Sequence, residues 1–246
     1  MTKAPYLALF TDFGLTGPYM GQMRAALHEA APNVPVIDLF ADAPTFDMRA
    51  ASYLLAAYSP DMGTGAILIC VVDPGVGGER PPMILWAQNQ VFVGPGNGLF
   101  EIVARRDRTY KASRITWRPD HLSASFHGRD LFAPVAGAIA RGDTVDLSPL
   151  DDQDWRRPGW PDDLPEVIYV DHYGNAITGL RAAKLSSNQT LRAGGVLLSR
   201  AQTFGDMPVG EGFWYENANG LVEVSVNQGS AAGDLNLYPG KRITIA

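Results

Sequence analysis

The amino-acid sequence predicts an α/β protein: an N-terminal, mostly parallel α/β sandwich domain followed by a smaller antiparallel, barrel-like β domain. Three observations predict it. Short apolar runs alternate with helix-periodic segments over roughly the first 140 residues, the pattern of a parallel sheet covered by helices. One of these runs, residues 66–72, is apolar at seven successive positions, as a strand buried on both faces requires. After Gly142 the helical periodicity stops, and β-type segments separated by Gly- and Asn-rich turns replace it.

Each element has a local reason. Residues 6–10 form a short apolar run that stops at Thr11-Asp-Phe-Gly14, a buried strand ending in a turn. Behind Pro18, which suits a helix start, Tyr19, Met20, Met23, Ala26, Leu27 and Ala30 recur at helical spacing. Residues 34–39 read as a second strand. Residues 46–58 read as a second helix, with Asp47 in its first turn to suit the macrodipole and Ser59-Pro60 ending it. After the apolar run 66–72, residues 83–87 and 91–93 pair about a turn at 88–90. Gly94-Pro-Gly-Asn-Gly98 turns into a short helix, and residues 130–141 form a further helix capped by Asp130. Residues 143–165 gather Asp, Pro, Gly and Trp without periodicity. The domain reading is therefore 1–150 for the α/β part, 151–165 for a linker, and 166–246 for the β part. Strands are expected there at 166–170, 195–198, 220–226 and 242–245.

Composition removes several function classes. At 246 residues, with 46% apolar and 19% charged residues, the chain can bury a core without covalent staples. Twenty Lys and Arg against twenty-six Asp and Glu give 20 − 26 = −6, the wrong balance for a general nucleic-acid binder. The single cysteine, Cys70, excludes an intramolecular disulfide and reads as a small core residue. The four histidines lack the paired spacing of a zinc helix, so no metal is expected. No apolar stretch reaches the roughly 18–20 residues of a membrane helix. The N-terminus shows no signal-peptide pattern, so a cytoplasmic protein is expected.

Four motifs can carry chemistry. Asp12 follows the first strand, where open α/β sheets place ligand contacts, and its carboxylate suits a ribose diol; it also suits a plain turn. Its Asp-Phe-Gly context is not that of a kinase, because no catalytic loop or strand lysine accompanies it. Asp73 follows the most buried strand and, with Arg80, brackets a glycine-rich loop that is neither a Walker cradle nor a dinucleotide fingerprint. Asp73 and Arg80 could equally stitch that loop together. His127, in Ser125-Phe-His-Gly-Arg-Asp130, stands at a helix entrance and could orient a group, relay a proton or be structural. In the β part, Asp171-His-Tyr-Gly-Asn175 places a carboxylate and an amide at a tight turn. They suit an ammonium group and a base edge, or a plain hairpin corner.

Taken together these motifs resemble the S-adenosylmethionine hydroxide adenosyltransferases (S-adenosylmethionine hydrolases), relatives of the fluorinase and chlorinase. The resemblance covers nearly the whole chain. It runs through Thr11-Asp-Phe-Gly14, Val72-Asp-Pro-Gly-Val-Gly77 with Arg80, Gly94-Pro-Gly-Asn-Gly98 and Phe126-His-Gly-Arg-Asp-Leu-Phe-Ala-Pro134. In the second half it continues through Asp171-His-Tyr-Gly-Asn175 and Gly220-Leu-Val-Glu-Val-Ser-Val-Asn227. One departure follows Ile37-Asp38, where Leu39-Phe40 replaces the Ser/Thr-His often found in the family.

The resemblance implies that water or hydroxide attacks the ribose 5′ carbon of S-adenosylmethionine, giving adenosine and methionine. It makes Asp73, Arg80 and His127 the water-activating triad. It assigns Asp12 to the ribose diol, Phe46 to a stack near the adenine, Asp171 to the methionine ammonium, Tyr173 to an aromatic wall and Asn175 to the adenine edge. The stretches at Ala218-Asn219 and Val226-Asn-Gln228 would use backbone groups. It further implies no cofactor, S-adenosylmethionine being the substrate. It implies a homotrimer whose active site lies between one subunit's α/β domain and its neighbour's β domain. Two other readings compete: a halogenase of the same superfamily, and a non-catalytic adenosine-binding module. The halogenase is weakened because 80–97 is too short for the fluorinase's extra loop. The binding module leaves Asp73, Arg80 and His127 without a task.

Overall fold

A computed structural model describes residues 6–246 of the chain. The chain divides between Gly159 and Trp160 into two compact units.

In the first unit the elements run β1 (Leu7–Thr11), α1 (Tyr19–Ala30), β2 (Val36–Phe40), α2 (Met48–Tyr58), β3 (Ile67–Val71), β4 (Pro82–Ala87) and β5 (Gln90–Pro95). They continue with α3 (Glu101–Arg106), β6 (Lys111–Ile115), α4 (Ala133–Arg141) and β7 (Leu147–Pro149). One seven-stranded sheet has the order β2-β1-β3-β5-β4-β6-β7. Its first four strands are parallel, and β4, β6 and β7 extend it antiparallel. The switch follows from the turn between β4 and β5. Gln88 and Asn89 have φ of 54° and 58°, the two positive values of a tight hairpin, which leaves no room for a crossover helix.

Strand alternation divides the core. Leu7, Leu9, Ile67, Ile69 and Val71 pack with Met23 and Leu27 of α1 and with Val135 and Ala136 of α4. Alternate residues reach the other face, where Phe10 meets Phe40 at 5.4 Å between ring centroids and Phe92 meets Phe100 at 5.9 Å. The α1–α4 pair is close because position 137 is glycine: a Cβ there would lie 2.4 Å from Ala30 Cβ.

Several local expectations change. Asp47 is the N-cap of α2, accepting the Ala50 N–H at 2.9 Å, so the helix starts one residue after it. Asp130 caps nothing: a π-turn, Gly128–Phe132, precedes α4, and the Asp130 carboxylate accepts the Ser123 N–H at 2.9 Å and pairs with Arg129. Residues 111–115 and 147–149, which carry no strand pattern, pair as edge strands. The segment read as a linker begins as folded structure. Trp155 is fully buried, and Arg156 bonds the Glu101 carboxylate at 2.6 and 3.1 Å. Single side chains anchor this segment, so no periodicity betrays it.

The second unit contains β8 (Leu164–Val170), β9 (Ala176–Arg181), β10 (Leu191–Ala193), β11 (Val196–Leu198), β12 (Gly212–Glu216), β13 (Leu221–Val226), α5 (Ala231–Asp234) and β14 (Thr244–Ile245). The strands form two antiparallel sheets, β12-β13-β9-β8 and β11-β10-β14. Single bridges at Glu166–Arg242 and Arg200–Trp214 supplement them. Val222, Val224 and Val226 of β13 turn toward a core that includes Trp214, Leu191 and Leu198. Among the described residues no helix is long and apolar enough to cross a membrane.

Candidate active site

The parallel register of β1 and β3 sets the first half of the site. Thr11 lies opposite Val71, so the carboxyl ends of the two strands deliver Asp12 and Asp73 to one edge of the sheet. The Asp73 strand end is tethered from below. Asn97, in the Gly94–Gly98 turn, donates its amide to the Val72 carbonyl at 2.9 Å and accepts the Leu99 N–H at 3.2 Å.

Asp73, Arg80 and His127 form a continuous chain. Arg80 Nε lies 3.1 and 2.9 Å from the two Asp73 oxygens, and Nη2 lies 2.5 Å from Oδ2. The pair is nearly dry, with side-chain exposures of 3% for Asp73 and 9% for Arg80, and Phe132 backs the guanidinium at 5.5 Å. Breaking one partner of such a pair leaves a buried charge without compensation. The same Nη2 meets His127 Nδ1 at 3.0 Å. A guanidinium only donates, so Nδ1 accepts and the imidazole carries its proton on Nε2. Burial and the neighbouring Arg80 cation hold the His127 pKa below its ordinary 6.5. Gly77 has φ of +77° and lies against the loop leading to His127, where a Cβ would come within 2.4 Å of the Ala124 carbonyl oxygen.

Asp12 and Phe46 stand beside this chain. A cavity of about 370 Å³ is lined by Asp12, Phe46, Asp73 and His127, together with Thr45 and Val76. Asp12 accepts the Phe46 N–H at 3.0 Å. That bond helps hold Phe46 at φ of +60°, a backbone state that costs a bulky side chain about 1–3 kcal/mol. The Phe46 ring is 72% exposed over the cavity. Burial pushes the Asp12 carboxyl above its ordinary range, and the Asp73 carboxylate adds to this against the pull of the Phe46 N–H. Sequence reasoning did not single out Phe13 and Tyr19, each of which meets Phe126 edge-to-face on the same cavity wall. Tyr19 matched ordinary helical periodicity, and Phe13 stood inside the turn motif Thr11-Asp-Phe-Gly14.

In the second unit the turn from β8 to β9 is built on Asp171. Its Oδ1 accepts the N–H groups of Tyr173 and Asn175 at 2.9 and 2.8 Å, and its Oδ2 accepts the Asn175 side-chain amide at 2.9 Å. Asn175 is buried, and Tyr173 is 76% exposed with its ring against His172. Asn219 sits in the turn from β12 to β13, where Asn217 Oδ1 accepts the N–H groups of Asn219 and Leu221 at 3.0 Å each. Val226 ends β13 with its side chain in the core, which leaves only its backbone for any ligand. Gln228 follows with φ of +55°. Sequence reasoning also passed over Tyr215 and Glu223, buried neighbours across β12 and β13. Among the described residues no group of His, Cys, Asp or Glu is placed to hold a metal ion.

An Asp–Arg–His chain beside the carboxyl ends of parallel strands, in a unit followed by an antiparallel unit with an Asp–Asn turn, defines a two-unit α/β-then-β protein with a polar cavity in its first unit. Comparison with known proteins makes the assignment specific. Residues 7–148 match the SAM hydroxide adenosyltransferase N-terminal domain and residues 165–244 match the C-terminal domain, so the chain belongs to the SAM hydroxide adenosyltransferase family. It is 35% identical to the (R)-S-adenosyl-L-methionine hydrolase of Thermus thermophilus, covering 96% of this chain and 97% of that one. It is 34% identical to the enzyme of the same name from Salinispora arenicola, covering 100% and 99%. A crystal structure of an uncharacterized conserved protein from Thermotoga maritima superimposes with a TM-score of 0.81 at 29% identity, covering 98% of this chain and 99% of that one. A conserved hypothetical protein from Thermus thermophilus gives 0.77 at 34% identity, with the same coverage.

Proposed function

We propose that this protein hydrolyses S-adenosyl-L-methionine, as the (R)-sulfonium epimer, to adenosine and methionine. The observation that carries the reading is the Asp73–Arg80–His127 chain, whose Asp73 and His127 line one cavity with Asp12. The names of full-length relatives support it. Water attacks the 5′ carbon in line with the departing sulfur, and a C–O bond forms as the C–S bond breaks. The electron pair of the C–S bond stays on methionine, and one proton of the water is released to solvent. The sulfonium leaves without an acid, so the protein's task is the nucleophile, because bulk water with a pKa near 15.7 holds little hydroxide.

Arg80 stabilises the developing hydroxide. Its positive charge alone would repel the sulfonium, and Asp73 offsets it. With Asp12 included, two carboxylates and one guanidinium leave the cavity one charge negative, which favours a cationic substrate. His127 donates from Nε2 in the resting arrangement, and its Nδ1 is occupied by Arg80, so it takes up a proton only by giving up that bond. The Asp73 carboxylate keeps acceptor capacity for the water, since its two oxygens offer about four lone-pair sites. As water and sulfonium react, charge is neutralised in a desolvated site, which preorganised dipoles reward.

For binding, Asp12 takes the ribose diol, Phe46 covers the adenine, Asp171 takes the methionine ammonium and Asn175 the adenine edge. Tyr173 forms a wall, and backbone groups near Asn219, Val226 and Gln228 complete the set. The assembly is a homotrimer in which one subunit supplies the triad and a neighbour supplies the Asp171 turn. No cofactor takes part. Replacing Asp73 by Ala tests the reading: adenosine formation, followed by chromatography, falls about 100- to 1,000-fold where preorganised electrostatics is removed. Full turnover in that variant would sink it.

A further inference from the structure

The β13 sequence Leu221-Val-Glu-Val-Ser-Val226 alternates, and Val222, Val224 and Val226 fill the core. Alternation therefore sends Glu223 to the opposite face of the sheet, where solvent would be its ordinary surrounding. Glu223 is instead only 5% exposed. Its Oε1 accepts the Tyr215 hydroxyl, and its Oε2 accepts the Asn217 side-chain amide at 3.0 Å. Asn217 then passes this order on, because its Oδ1 holds the N–H groups of Asn219 and Leu221. Among the described residues neither Glu223 nor Asp171 forms an ion pair with Arg, Lys or His. Burial pushes the Glu223 carboxyl up, and the Asp171 carboxylate pushes it further against the pull of Tyr215 and Asn217. Two carboxylates in electrostatic reach of each other, both hydrogen-bonded and both without a cation, are a destabilised arrangement that an arriving ammonium relieves.

We propose that Glu223 is a positioning residue of the ammonium subsite: its charge, acting with that of Asp171, selects the α-ammonium of the substrate, while its bond to Asn217 sets the Asn219 turn. The inference rests on the reading of Asp171 as the ammonium partner. Glu223 does not touch the reacting atoms. Its removal therefore weakens substrate binding and leaves the chemical step alone.

The test compares S-adenosylmethionine with the corresponding sulfonium whose α-carbon carries hydrogen in place of the amino group. Glu223→Gln keeps the size of the side chain and deletes its charge. Expected is a rise in KM for S-adenosylmethionine of about tenfold, as for the loss of one charge-assisted contact, with kcat kept within about twofold. On the amino-free sulfonium the variant and the parent have equal KM. A KM rise of the same size on both substrates, or no rise on either, overturns the inference. Tyr215→Phe, which removes one bond to Glu223 and keeps the ring, gives a smaller rise confined to S-adenosylmethionine; should Glu223→Gln fail to fold, this variant decides by the same criteria. Asp171→Asn separates the two layers. If it fails to discriminate the two substrates, the Asp171 reading is wrong; if it discriminates and Glu223→Gln does not, only the present inference falls.

Discussion

Arg80 Nη2 lies 3.0 Å from His127 Nδ1 while also holding Asp73 Oδ2, so one guanidinium nitrogen joins the carboxylate to the imidazole. The relationship fixes the resting tautomer of His127, and it makes protonation of that ring unfavourable: a second cation would form beside the first in a half-buried site. A pH prediction follows. Because the folded His127 pKa lies below its unfolded value of 6.5, the neutral ring is the majority form at pH 6.5 and above. The parent enzyme is expected to show kcat/KM without a His inflection above pH 6.5, and an acid limb only below it. Stability follows the same sign: protonation favours the unfolded chain, so the His127 contribution is lost as pH falls below 6.5. A pH–rate profile with a His127-dependent inflection at or above 6.5, abolished in His127→Gln, would contradict the tautomer argument.

Gly77 holds the loop that carries this arrangement. Its φ of +77° and the 2.4 Å approach a Cβ would make to the Ala124 carbonyl oxygen both require glycine. Gly77→Ala should therefore push the Asp73–Arg80 loop away from the segment leading to His127. The expected cost is about 1–3 kcal/mol of stability, read by chemical denaturation. A fall in kcat should accompany it, with a smaller change in KM. An unaltered kcat would show that the spacing of the two loops is unimportant for the chemistry.

Much of this site was legible in the sequence because strand ends obey simple rules. A buried run followed by Asp locates a carboxylate at a sheet edge, and Asp12 and Asp73 were found that way. The glycine-rich loop and Arg80 follow from the same motif. The edge strands 111–115 and 147–149 carry Lys, Ser, Arg and Pro, so no hydrophobic period marks them. Glu223 was hidden for a different reason. Alternation in β13 reads as a half-exposed strand, and only the three-dimensional placement of Tyr215 and Asn217 reveals that the polar face is buried too. Arg156 was lost in a Pro- and Asp-rich stretch because its anchoring partner, Glu101, lies far away in sequence, as does Tyr110, whose ring packs on Trp155.

Glu101 supplies a prediction about stability alone. Its side chain is fully buried and is held by Arg105, by Arg156 and by the Arg157 N–H at 2.8 Å. Burial by itself would raise its pKa, but the bonds from Arg156, Arg157 and Arg105 outweigh it and hold the carboxyl down at about 2. The stabilisation is thus complete above the unfolded value near 4.5 and is lost as pH falls toward 2. Glu101→Gln removes the buried carboxylate that Arg105 and Arg156 share, so a loss of about 3 kcal/mol is expected by urea unfolding at pH 7. The difference from the parent should shrink as the pH is lowered through 4.5, and kcat should be unchanged. A difference independent of pH would show that the charge of Glu101 contributes nothing.

Shared sites make a last, stringent prediction. Under the proposed trimer, Asp73 comes from one subunit and Asp171 from its neighbour, so Asp73→Ala and Asp171→Ala each disable every site of their own homotrimer. In mixed trimers a site is intact when its triad comes from an Asp171→Ala subunit and its ammonium turn from an Asp73→Ala subunit. With equal amounts and free exchange each condition is met half the time, so about a quarter of all sites recover in a closed cyclic assembly. Two inactive preparations, dissociated and reassembled together, should therefore regain about a quarter of parental turnover, while each treated alone regains none. Sedimentation of the mixture should show a single trimeric species. No recovery in a verified mixed trimer would mean that each chain completes its own site, and the shared arrangement would be abandoned with the catalytic roles of Asp73, Arg80 and His127 left standing.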